Sequence, residues 1–81
     1  MQGKRIYPDD VVNSFMPGEY GKVGNRWFAC TPDGRLGDLS NHEVTEHEDG
    51  TITVSPSILV SAGGKHGEWH GYLEHGVWRE V

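Results

Sequence analysis

Histidine and cysteine are the side chains in this sequence with most to offer a reaction or a metal. All five histidines, His42, His47, His66, His70 and His75, stand in the second half of the 81-residue chain, and Cys30 is its one cysteine. Zinc asks for about four convergent ligands, most often cysteine and histidine in short paired spacings. Cys30, His66 and His70 are the set that neighbouring strands would bring together, with Asp33 or Glu68 completing it. No cysteine pair and no helical H-E-x-x-H accompanies them, so the expectation is no metal and no other cofactor. The imidazoles then serve at the surface or in ordinary hydrogen bonds.

Cys30 would be a nucleophile only if a histidine lowered its thiol pKa, with His70 the partner to test. Nothing in the chain supplies an orienting carboxylate or an oxyanion hole, and a lone strand cysteine usually packs as a small hydrophobe. The acid pairs Glu43 with Glu46 and Glu48 with Asp49 have the density of a solvated face. The glycines are scattered and form neither a Walker loop nor a dinucleotide fingerprint. These observations predict no catalytic residues. Aromatic side chains are the better candidates: Trp27, Trp69, Tyr72 and Trp78 are the predicted binding residues, since tryptophan and tyrosine concentrate at protein interfaces.

The elements that must position these side chains are strands. Trp27 and Ala29 alternate with Phe28 and Cys30 over Arg26–Cys30, and Thr31-Pro32-Asp33-Gly34 reads as a turn. Glu48-Asp49-Gly50 separates two alternating runs. A three-residue turn with Gly50 in a bulge opposes Val44 with Val54 and Glu46 with Ile52, gathering the apolar residues on one face. Pro56 then bends the next strand or moves it to a new partner. A two-residue His75-Gly76 turn opposes Leu73 with Trp78 and Tyr72 with Arg79, and Gly71 leaves room for an aromatic neighbour. Pairing of the Cys30 strand with this last hairpin is expected.

Ahead of residue 26 the pattern is weaker. Arg5-Ile6-Tyr7 reads as a short edge strand, and Val11, Val12, Phe15 and Met16 have the spacing of one helical turn. Gly18, Gly21 and Gly24 read as a loop. The predicted fold is mainly β, a small antiparallel meander or partly closed barrel of about five or six short strands. Its organisation is a Gly/Pro-containing segment over residues 1–25, packed on or leading into a compact β domain over 26–81.

Lys plus Arg number 7 and Asp plus Glu 12, a formal charge of −5. Residues 41–81 hold seven acids and two bases. An acidic half of this kind argues against a duplex-binding surface, which needs clustered cations, and favours a protein partner. A second copy of the chain, joined through an edge strand, is the alternative. One cysteine excludes an internal disulfide, and no apolar run follows Lys4 and Arg5, so the expected compartment is the cytoplasm with no membrane contact.

Thr51-Ile52-Thr53-Val54-Ser55-Pro56-Ser57-Ile58-Leu59-Val60, then Trp69-His70-Gly71-Tyr72-Leu73 and Gly76-Val77-Trp78, carry a resemblance. They look like small uncharacterised proteins of bacteriophages and prophages, in which a Pro-Ser-Ile or Pro-Ser-Leu strand precedes a histidine-containing strand and a Gly turn. Many of those proteins have an upstream cysteine knuckle and a downstream Cys-His pair resembling a zinc ribbon. Cys30 matches the start of the knuckle, but Thr31 to Gly34 supply no second cysteine, and Trp69 stands where the cysteine before His70 would be. The resemblance implies a phage setting and a shared fold, with most zinc ligands exchanged for packing. Composition and resemblance together predict a small acidic, non-enzymatic interaction or accessory protein. The alternatives are an assembly protein, a small zinc-binding domain and, least supported, an enzyme using Cys30 and His70.

Overall fold

A computed structural model of the chain describes residues 1–8, 15–60 and 68–81. These residues form eight strands and no helix: β1 (Lys4–Arg5), β2 (Glu19–Val23), β3 (Arg26–Cys30), β4 (Leu36–Asp38), β5 (Glu43–Glu46), β6 (Ile52–Val60), β7 (Trp69–Glu74) and β8 (Val77–Glu80). The strands divide into two four-stranded sheets, β1-β2-β3-β4 and β5-β6-β7-β8. The expected β class therefore holds, with more strands than expected and arranged as two four-stranded sheets that do not close into a barrel.

The local hairpins follow the turn chemistry. Val44 pairs with Val54 and Glu46 with Ile52, around Gly50 at a φ of 88°. Leu73 pairs with Trp78 and Tyr72 with Arg79. There His75 and Gly76 both take positive φ, 47° and 75°, the geometry of a hairpin turn whose twist matches its strands. Gly34, at a φ of 92°, closes the Thr31–Gly34 turn through a bond from its N–H to the Thr31 carbonyl at 2.8 Å. β6 runs unbroken through Pro56, and its pairing with β7 shifts register between Val54 and Ile58. The Ser55–Pro56 peptide is cis.

Three expectations change. The Gly18–Gly24 stretch contains β2, not only a loop. Gly21 lies inside that strand, where a Cβ would come within 2.6 Å of the Ile6 carbonyl oxygen. The glycine thus answers a close backbone approach. Secondly, β3 with Cys30 pairs β2 and β4, while the terminal hairpin pairs β6, so the two lie in different sheets. Thirdly, Phe15 and Met16 are not helical; Val11 and Val12 of the predicted turn lie outside the described residues.

Between the sheets sit Tyr20, Ala29, Leu39, Ile52, Val54, Ile58, Trp69, Leu73 and Trp78, flanked by Trp27, Val44 and Val60. The chain start ties the sheets along one side. β1 pairs β2 in parallel, while the Met1 amino group and carbonyl bond Trp78, and the Gly3 N–H reaches the Gly76 carbonyl. The Arg5 guanidinium adds a clasp. It stacks 4.5 Å from the Tyr7 ring and 4.8 Å from the Trp27 ring. Its Nη1 donates to Glu46 Oε2 at 2.9 Å and to the Gly50 carbonyl at 2.8 Å.

Candidate functional site

Strand alternation sets which side chains leave the second sheet. Along β7, Trp69, Gly71 and Leu73 turn inward and His70, Tyr72 and Glu74 turn out. Register carries the outward set across the sheet: Leu59 stands opposite His70, the Val81 N–H bonds the His70 carbonyl at 2.9 Å, and Tyr72 faces Arg79. Leu59, Tyr72 and Val81 are 53%, 37% and 73% exposed. With Val77 they make up four of the eight large hydrophobics exposed among the described residues. These four side chains share the outer face of the second sheet.

Polar groups frame this patch in fixed positions. His70 Nε2 lies 2.7 Å from the Ser57 hydroxyl. The Arg79 guanidinium sits 5.2 Å from the Tyr72 ring centre and donates to Glu74 at 2.8 Å. Exposed pairs of this kind stabilise the fold by at most about 1 kcal/mol; their effect here is to hold a cation beside an aromatic ring. The face can offer a partner apolar area, a tyrosine hydroxyl, an imidazole and a guanidinium.

The four predicted aromatic residues do not share one surface. Trp69 and Trp78 are core residues packed edge to face at 5.4 Å, and the Trp78 indole N–H bonds the Gly18 carbonyl at 2.9 Å. Trp27 is half-buried beside Arg5, with Lys22 Nζ at 5.8 Å from its ring. Tyr72 alone of the four stands on the outer face of the second sheet. Leu59 and Val81, missing from the sequence reading, join it there.

Cys30 and His70 are held apart by the fold. The thiol is buried in the first sheet, while His70 lies on the exposed face of the second. Burial pushes the Cys30 thiol pKa up, with the Asp33 and Glu19 carboxylates acting in the same direction and a Gly18 backbone hydrogen bond opposing them. A raised pKa keeps the sulfur protonated and a poor nucleophile at neutral pH. His66 lies outside the described residues. Among the described residues no three His, Cys, Asp or Glu side chains converge as a metal site. His42 Nε2 lies 3.2 Å from the Ser57 carbonyl. His47 stacks on His75 at 3.9 Å and approaches the Thr53 hydroxyl at 2.7 Å.

The described residues also line clefts. An open one of about 540 Å³ is lined by Pro32, Asp33, Glu68, Trp69 and Glu80. Hydrogen bonds from Arg35, then from the Thr31 hydroxyl, hold the Asp33 carboxyl below its ordinary pKa. A smaller one of about 280 Å³ lies between the start of β3 and β5, lined by Trp27, Leu39, His42 and Val44 among others. Among the described residues no helix is long and apolar enough to cross a membrane. Comparison with known protein families, with curated proteins and with solved structures finds no match to this chain.

Proposed function

We propose that this chain is a small acidic, non-enzymatic interaction module that docks a partner protein against the outer face of its second sheet. The observation that carries this reading is the exposed Leu59, Tyr72 and Val81 cluster, framed by His70 and Arg79. Seven acids against two bases over residues 41–81 make a basic surface with an apolar centre the complementary partner. The same imbalance disfavours nucleic acid. The likeness of residues 51–60, 69–73 and 76–78 to phage and prophage proteins supports a role as a phage-encoded accessory factor acting in the host cytoplasm.

The test compares partner capture by the wild-type chain with Leu59→Lys, Tyr72→Ala and the off-face control Met16→Ser. A partner that depends on this face is retained by Met16→Ser and lost at least tenfold by the other two. Equal capture by all four proteins would overturn the reading.

A further inference from the structure

β5 is an edge strand of the second sheet, and a cleft lies beside it. The His47 N–H donates to the Thr51 carbonyl at 2.8 Å, and with Thr45 opposite Thr53 and Glu43 opposite Ser55 this fixes the hydrogen-bonding parity of β5. Glu43 and Thr45 turn their backbone groups toward β6, and Val44 and Glu46 turn theirs off the edge. Among the described residues no backbone bond reaches those outward groups. At the other edge of the sheet the matching groups of Gly76 and Trp78 are already taken by Gly3 and Met1. β5 is therefore the edge of this sheet that has two consecutive outward residues available.

We infer that β5 receives an extended segment of a partner protein as an added strand, with a large apolar side chain in the cleft beside it and a basic residue next in sequence. Register dictates that pattern. In an antiparallel addition the residue opposite Val44 points to the same face as Val44, the face that meets Trp27 and Leu39 in the 280 Å³ cleft. Its neighbour then lies opposite Glu43, an exposed carboxylate with no ion pair among the described residues. His42 also lines the cleft; its Nε2 lies 3.2 Å from the Ser57 carbonyl, and its buried Nδ1 has no partner among the described residues.

Charge selects the occupant. A second copy would bring another chain of net charge −5 to the edge, and the symmetric pairing that uses both outward residues sets each Val44 against the other chain's Glu46. A basic segment removes both conflicts. Main-chain bonds then supply affinity and the side chain in the cleft supplies specificity, as in other strand additions.

The probe is the peptide acetyl-Lys-Thr-Phe-Lys-Thr-amide, titrated into the ¹⁵N-labelled full chain and followed by amide chemical shifts. Saturable shifts centred on Val44, Glu46 and the Trp27 indole are expected, half-complete below about 1 mM. Replacing the peptide Phe by Ala, replacing both Lys by Glu, or N-methylating the Phe nitrogen each weakens binding at least tenfold. Val44→Pro removes an outward N–H and keeps the β5–β6 ladder; it too loses binding, while the Tyr72 and Trp78 signals stay in place. Three results would overturn the inference: no shifts at the edge, equal binding by the N-methyl peptide, or the same edge shifts on concentrating the protein alone. Because this edge is separate from the Leu59–Tyr72 face, its failure leaves the proposed face untouched, and the reverse also holds.

Discussion

Arg5 is the side chain whose removal most directly reports how the two sheets are held together. Its side chain is largely buried, 13% exposed, whereas that of its ion-pair partner Glu46 is 49% exposed. The ion pair is accordingly discounted to about 0.5 kcal/mol. The charge-assisted bond to the Gly50 carbonyl contributes about 1.5–3 kcal/mol, and stacking between Tyr7 and Trp27 about 1 kcal/mol. Against these stand the Arg5 Nε, buried without a partner at a cost of about 1 kcal/mol, and the ordering of a long side chain. The expected loss for Arg5→Ala is about 2 kcal/mol, and for Arg5→Lys, which keeps a charge but not the planar stack, about 1 kcal/mol. Urea unfolding followed by tryptophan fluorescence reads the difference. With a slope of about 1 kcal/mol/M for so short a chain, the Arg5→Ala midpoint falls by about 2 M. Glu46→Gln moves it by no more than about 0.5 M. An Arg5→Ala midpoint within about 0.3 M of wild type, or a Glu46→Gln effect as large as that of Arg5→Ala, would refute the clasp as reasoned.

Other perturbations test other parts of the structure. A Cβ at Gly71 would stand 2.5 Å from both the Arg79 carbonyl oxygen and Trp69 Cη2, so Gly71→Ala should destabilise by about 1–3 kcal/mol in the same urea assay. Trp78→Phe removes the indole bond to the Gly18 carbonyl, which keeps its bond from the Lys4 N–H, and should cost about 1 kcal/mol, with the Phe15 and Phe28 region unaffected by amide shifts. Cys30, buried with a raised thiol pKa, should react with a thiol reagent in urea far faster than in buffer; equal rates would contradict its burial. Asp33, whose pKa is lowered first by its Arg35 hydrogen bonds, contributes stability that is present above the ordinary carboxylate value of about 3.9. That contribution fades as pH falls through the lower folded value. The midpoint gap between wild type and Asp33→Asn should therefore shrink between about pH 6 and about pH 2.5; a gap that widens on acidification would contradict the assignment.

Local chemistry made part of the fold legible in advance. Asp49-Gly50 and His75-Gly76 each sit between runs of alternating polarity, and the Val44–Val54 and Leu73–Trp78 registers follow from matching their apolar faces. β2 was hidden because three glycines resemble a loop; the Ile6 carbonyl that Gly21 must clear is brought there by a parallel pairing with no local signature. β4 is three residues long, too short for a period to show. The face was half readable. The terminal hairpin register already turns Trp69 and Trp78 inward with Leu73, which removes them from any exposed site. Placing Leu59 beside Tyr72 needed the register shift at Pro56, and that is decided by tertiary packing. A site joining Cys30 with His70 is ruled out by their placement in different sheets, which no local signal announces.

Photo-crosslinking from the outer face tests the central claim most directly. A photoreactive phenylalanine analogue replaces Tyr72, and in a parallel protein Met16, in cells where the protein acts. A discrete protein adduct is expected from position 72, disappearing when Leu59→Lys is added, and none from position 16. An adduct from position 16 with none from position 72 would contradict the claim.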